Sequence, residues 1–283
     1  MVLGGRPARR AMRYFSIVAR SRLPRGPQTM YFVLRMDKVN FVIPMAGLSR
    51  RFAEAGITRP KYMLEAGGRT LFEHSLASLP LNLPGRVVLV ALAAHEAEFG
   101  VKAFIEGRMR LLAPGKSWEL VLLAAPTRGQ AETALAAEGA APPSEGLAVY
   151  NIDTGFSSPA LERRLADPAQ RRDGVLGCFR LTARDPKWSF AAAGPDGAVT
   201  RTAEKEQISE NALTGLYHFS RASDFYGAAR RQIAAGQAVR GEFYIAPMYN
   251  ELIAAGGKFV LDTAESLTPL GTPEDLERLR GAR

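Results

Sequence analysis

From Val39 onward, short runs of apolar, largely β-branched residues alternate with longer stretches of helical period, and this alternation restricts the fold more than any other feature. The runs at Val39–Met45, Arg86–Leu92, Leu120–Ala124, Leu147–Ile152 and Val175–Leu181 read as strands buried on both faces of a mainly parallel sheet. Helices over Leu71–Leu79, Glu96–Ile105, Ala131–Glu138 and Leu161–Leu165 would cover them. The expected architecture is α/β in three layers: a mainly parallel, Rossmann-like sheet with helices on both faces. Further on, Gly194–Gly197 reads as a turn between two extended stretches, Thr214–Phe219 as a strand, and Ala222–Ala234 and Ile245–Ala255 as helices. This second half reads as a lid or substrate half packed on the same sheet. No internal repeat or low-complexity linker interrupts residues 36–283, which read as one domain.

Charge needs dissecting before it is interpreted. With Lys+Arg 37 and Asp+Glu 28, the chain carries +9, a value that invites an anionic partner such as nucleic acid or a membrane surface. Residues 1–35, however, hold eight arginines and no Asp, Glu or Lys, so the rest of the chain lies within one charge of neutral. That near-neutral body lacks the basic face with interleaved aromatics that a nucleic-acid partner requires. The apolar pieces Tyr14–Ala19 and Tyr31–Leu34 are too short for a bilayer span or a secretory core, which argues against a membrane partner. Residues 1–35 read as a basic extension outside the fold or an over-extended start, with a transit peptide and a basic arm as alternatives. A single Cys178 in an apolar run argues against disulfides and makes the cytoplasm the default compartment. His74, His95 and His218 are far apart, and none belongs to a zinc-type cluster.

The chemistry concentrates after the first strand. Phe41-Val-Ile-Pro-Met-Ala-Gly-Leu-Ser-Arg-Arg-Phe52 turns from a strand into a small-residue loop with two adjacent arginines, followed by Arg59-Pro60-Lys61. Backbone N–H groups and cationic side chains delivered to one place meet the physical requirement for binding a polyphosphate. An ordinary strand-to-helix turn with surface arginines is the plainer alternative. Gly115-Lys116-Ser117 imitates a P-loop ending, but Arg110 stands where the first glycine belongs. Gly47-Leu48-Ser49-Arg50-Arg51 lacks the last glycine of a nucleophile elbow.

Five segments in order make the chain resemble the nucleoside-diphosphate-sugar pyrophosphorylases, the nucleotidyltransferases that make sugar nucleotides. They are Ala46-Gly47 through Arg51-Phe52 with Pro60-Lys61; Arg128-Gly129-Gln130-Ala131; Asn151-Ile152-Asp153; Glu204-Lys205 with Thr214-Gly215-Leu216-Tyr217; and Gly271-Thr272-Pro273. The resemblance implies a GT-A type fold, a nucleoside triphosphate and a small phosphorylated acceptor as partners, and Mg²⁺ as cofactor; it leaves a homo-oligomer open. It implies Arg51 and Lys61 as catalytic, and Ala46, Gly47, Ser49, Arg50, Gly129 and Gln130 as nucleotide-binding. It further implies Glu204, Lys205, Gly215 and Glu242 as acceptor-binding, and Asp153 as the metal ligand. Glu242 has a plainer alternative, a charge stabilised by a helix N-terminus. Tyr217 and Trp188 could stack on substrate or belong to the core.

The departures from the family pattern bear on the same site. Ser49 replaces a loop glycine, Arg50 a Ser/Thr, Gln130 a threonine and Glu206 a proline. Pro269 stands where many members carry a second metal-binding aspartate. Asp153 with phosphates and water could hold Mg²⁺ alone, or Asp262 or Glu265 could substitute. Three functions follow. A sugar 1-phosphate acceptor for surface-polysaccharide precursors leads; a cytidylyltransferase for a non-sugar phosphate such as phosphocholine comes second. A GT-A glycosyltransferase or an inactive nucleotide-sugar binding module is third, although Asn151-Ile152-Asp153 keeps only the last member of an Asp-x-Asp motif.

Overall fold

Phe41 and Ile43 pack into one hydrophobic layer and Val42 into another, and all three are fully buried in this computed structural model. Alternate side chains of a strand face opposite sides of its sheet, so helices must cover both faces, as the uninterrupted apolar runs require. The structure describes residues 37–282. The reading of residues 1–35 as a basic extension lies outside them.

In chain order the elements are β1 (Val39–Pro44), α1 (Arg50–Glu54), a 3₁₀ turn (Lys61–Met63), β2 (Glu65–Ala66), β3 (Arg69–Thr70), α2 (Leu71–Leu76), β4 (Val87–Leu92), α3 (Ala93–Phe99), α4 (Val101–Leu112) and β5 (Trp118–Leu123). There follow α5 (Gln130–Leu135), β6 (Gly146–Tyr150), β7 (Thr154–Ser157), α6 (Leu161–Ala166), α7 (Pro168–Arg171), β8 (Gly174–Arg180), β9 (Ser189–Ala193), β10 (Val199–Glu204) and β11 (Asn211–Phe219). The chain ends with α8 (Ala222–Ala234), α9 (Met248–Ala254), β12 (Phe259–Thr263), β13 (Ser266–Pro269) and α10 (Pro273–Gly281).

One large sheet runs in the order β10-β9-β11-β6-β1-β4-β5, with β8 also on β11 and β12 on β8. The half built from β6, β1, β4 and β5 is parallel. Antiparallel pairing enters with β11, which runs against β6, β8 and β9. The fold is thus the expected α/β one, with a mostly parallel central sheet flanked by helices. Helices α5, α8 and α9 close one face, while α2, α4 and α6 close the other.

Three local expectations are corrected. Glu96–Ile105 is not one helix: Gly100 takes a left-handed φ of 63°, ending α3 and starting α4. The strand expected at Leu120–Ala124 lies at the sheet edge, where Leu122 is 43% exposed. The helix expected at Ile245–Ala255 begins only at Met248. The Gly194–Gly197 turn joins β9 to β10 as expected, with the Gly194 amide bonded to the Ala198 carbonyl at 2.8 Å.

Candidate active site

Strand order reverses at β1, whose neighbours are β4 on one side and β6 on the other. In a parallel sheet such a reversal opens a crevice at the strands' carboxyl ends. The residues leaving β1 (45–51) and those leaving β6 (151–154) line a cleft of about 820 Å³ at that point. The other walls come from the start of α5, the ends of β9 and β10, the middle of β11, the loop before α9 and the start of α10. Ala46, Gly47, Ser49, Arg50, Arg51, Lys61, Gly129, Gln130, Asp153, Glu204, Lys205, Gly215 and Glu242 all border this one cleft.

Backbone conformation shapes the loop after β1. Ser49 sits in the left-handed region at φ 49°, ψ 42°, and its side chain caps nothing at the start of α1. A residue with a Cβ is disfavoured there by about 1–2 kcal/mol. Ser49→Gly is therefore expected to stabilise the protein by about 0.5–1 kcal/mol, net of glycine's extra unfolded-state freedom, raising Tm by about 2 °C. A lowered midpoint in differential scanning fluorimetry would count against this conformation.

Charges face one another across the cleft. Lys61 Nζ, mostly buried, lies 3.9 Å from Asp153 Oδ2, whose side chain is about half exposed. The Asp153 carbonyl accepts from the Leu270 amide at 2.7 Å, fixing the residue that follows β6. At the opposite end, Glu204 accepts from the Ser189 hydroxyl, and burial pushes its carboxyl up against the lowering pull of that bond and of Lys205. Lys205 has a left-handed φ of 57° and points its ammonium at Tyr244, which in turn donates to Glu242. Gly215 holds φ 88° beside Asn151, where a Cβ would come within 3.0 Å of the Asn151 Cβ. The Gln130 amide oxygen is buried without a hydrogen-bond partner among the described residues.

The structure decides several open alternatives. Asp262 cannot serve this cleft: it is buried on β12 and bound by Arg164 at 3.0 Å. Glu265 is exposed between β12 and β13 and borders the cleft no more than Asp262 does. Pro269 does border it, paired with Thr154 across the β7–β13 ribbon. Glu242 is not a helix N-terminal charge, because α9 starts six residues later. Tyr217 is a buried core residue packed against Tyr249, and its hydroxyl, which bonds Ser189 at 3.3 Å, borders the cleft. Trp188 is half-buried, set edge-on to Phe179, and lines the cleft.

Sequence reasoning missed Tyr244, Glu274, Asp275 and Arg278, which also border the cleft. For the last three a signal existed: Thr272-Pro273-Glu274-Asp275 has the chemistry of a helix start, and α10 indeed opens with a Thr272/Asp275 capping box. Asp275 is wholly committed to that role, accepting from the Gly271 and Thr272 amides and from Arg278.

Residues 41–215 match the family of the MobA-like NTP transferase domain. The chain belongs to the MobA-like NTP transferase family. As such it is a nucleotidyltransferase, of the sugar-phosphate or pyrophosphorylase type, and the glycosyltransferase alternative falls. This family member is 34% identical to the nucleoside-diphosphate-sugar pyrophosphorylase from Vibrio cholerae RC9, over 85% of this chain and 99% of that one, with a TM-score of 0.71. It shares its fold with the inositol-1-phosphate CTP transferase from T. maritima, at 16% identity and TM-score 0.65, over 87% of this chain and 97% of that one. It is also 29% identical over 174 residues to 2-C-methyl-D-erythritol 4-phosphate cytidylyltransferase from Pseudomonas putida (strain W619). That match spans 59% of this chain and 66% of the relative. Among the described residues, no helix is long and apolar enough to cross a membrane.

Proposed function

We propose that this nucleotidyltransferase joins a nucleoside monophosphate, taken from an NTP, to a small phosphorylated acceptor, most simply a sugar 1-phosphate, and releases pyrophosphate. The observation that carries this reading is the meeting of Arg50, Arg51 and Lys61 with Asp153 at the carboxyl ends of β1 and β6, facing Lys205 across one cleft. An acceptor phosphate oxygen attacks the α-phosphorus; a new P–O bond forms as the α–β bridging bond breaks, and pyrophosphate leaves with the electron pair. Such a reaction needs positioning and charge neutralisation rather than a covalent enzyme group.

Arg51, aided by Arg50, neutralises the β- and γ-phosphates, while the backbone of Ala46, Gly47 and Ser49 cradles them. Lys61 bridges the leaving pyrophosphate and the incoming phosphate. Gly129 and Gln130, at the start of α5 on the cleft wall, hold the base through backbone and amide groups. Lys205 clamps the acceptor phosphate; Gly215 keeps the adjoining wall low, and Glu204 and Glu242 accept hydrogen bonds from acceptor hydroxyls.

The cleft's donor set fits a magnesium ion carried on the nucleotide. Glu204, Glu242 and Asp275 are each hydrogen-bonded within the protein, whereas Asp153 accepts no side-chain hydrogen bond among the described residues. A hard cation that keeps several waters needs only one carboxylate beside substrate phosphates, so Asp153 would hold it despite Pro269. When bound, the ion withdraws charge from the α-phosphate.

A second reading keeps the reaction and changes the substrates, to CTP and a non-sugar phosphate such as phosphocholine; the cytidylyltransferase relative supports it. In the first reading the product is an activated sugar for surface-polysaccharide assembly, made in the cytoplasm. Pyrophosphate release measured for the four NTPs crossed with sugar 1-phosphates and phosphocholine tests both. Turnover with a sugar 1-phosphate upholds the first and turnover with phosphocholine and CTP the second, while no pyrophosphate from any pair sinks both.

A further inference from the structure

We propose that Tyr244 is a positioning residue that ties the Lys205 ammonium to the Glu242 carboxylate, presenting the phosphate clamp and the hydroxyl acceptor as one unit of fixed spacing. The inference rests on the roles given above to Lys205 and Glu242 and extends them to a residue that sequence reasoning passed over.

The chemistry of the three groups fixes the polarity of the array. An ammonium can only donate and an ionised carboxylate can only accept. The Tyr244 hydroxyl contacts both, so it accepts from Lys205 and donates its single proton to Glu242. Burial and the neighbouring Glu242 both push the phenol up, which keeps that proton in place across the physiological range.

Backbone geometry points the same way. Lys205 is one of four non-glycine residues with positive φ among those described, and its amide is pinned to the Trp188 carbonyl at 3.0 Å. Left-handed conformations persist where the surroundings over-determine them, often at sites that must aim a side chain. Tyr244 is itself anchored, since its carbonyl accepts from the buried Gln232 of α8 at 3.1 Å and Phe243 before it is buried. A flexible four-carbon lysine stem thus ends against the hydroxyl of an anchored aromatic residue.

Tyr244→Phe keeps the ring and removes the oxygen, separating positioning from packing. With glucose 1-phosphate or phosphocholine, whichever the wild-type protein turns over, Tyr244→Phe is expected to raise acceptor KM about tenfold, the size of one charge-assisted hydrogen bond. The KM for NTP, kcat at saturating acceptor and Tm should stay within about twofold and about 2 °C of wild type, as expected for a surface-lined contact. Tyr244→Leu, which removes hydroxyl and ring together, should raise acceptor KM at least as much. An unchanged acceptor KM, or an NTP KM raised equally, overturns the proposal. A second measurement does not depend on turnover: the urea midpoint shifts of Lys205→Met and Glu242→Gln should be non-additive in the Tyr244 protein and additive in Tyr244→Phe. Additivity in both backgrounds overturns the array even if no acceptor is found, an outcome that would separately end the functional reading.

Discussion

Lys61→Ala and Asp153→Ala should each lower kcat/KM by ~10²–10³, the range for losing one preorganised charge contact, about 3–4 kcal/mol of transition-state stabilisation. Both side chains point into the cleft, and neither belongs to a hydrophobic cluster, so Tm should hardly move. The two losses should not add. The side chains lie 3.9 Å apart and, in the proposed reaction, act on one developing charge, so the double variant is expected to cost distinctly less than the product of the single effects. Removing Asp153 should also raise the magnesium concentration needed for half-maximal rate, whereas removing Lys61 should leave it near its original value. Steady-state rates at varied Mg²⁺ for the three variants provide the check. Near-normal turnover in either single variant would falsify the assignment of both residues.

Much of this site could be read from the chain because its parts follow strands. Ala46 to Arg51 and Asp153 leave the carboxyl ends of two buried strands, so recognising the apolar runs already places their loops on the same rim of the sheet. Lys61, Glu204 and Lys205 follow from motif order rather than from periodicity. What could not be read depends on contacts distant in sequence. Asp262 looked available as a second metal ligand because nothing local shows that Arg164, on another element, binds it in the core. Nothing local to Tyr244 shows that Lys205, 39 residues away, stands against its hydroxyl. The break at Gly100 was missed for a different reason: helical periodicity carries across a single glycine, although that glycine alone permits the left-handed turn.

Gly129→Ala should damage stability and substrate binding together, because it parts the two loops proposed to hold the two substrates. Gly129 adopts φ 139°, ψ 174°, a region that side chains essentially exclude. A Cβ there would stand 2.5 Å from the Phe243 nitrogen and 2.6 Å from its oxygen, both of them backbone atoms that cannot rotate away. Those same atoms form the seam between the loops. The Phe243 amide donates to the Arg128 carbonyl at 2.8 Å, and the Ala131 amide donates to the Phe243 carbonyl at 3.0 Å. An added methyl must open the seam, at a cost of about 2–4 kcal/mol from two backbone hydrogen bonds and a strained φ. That corresponds to a fall in Tm of about 5–10 °C for a domain of this size. The kinetic signature should be distinctive: Gln130 lies on one side of the seam, Glu242 and Tyr244 on the other, so KM for NTP and KM for acceptor should rise together. This contrasts with Tyr244→Phe, in which only the acceptor responds. Thermal melts and two-substrate kinetics on Gly129→Ala therefore test whether the base loop and the acceptor loop form one mechanical piece; a wild-type Tm with unchanged KM values would show that they do not.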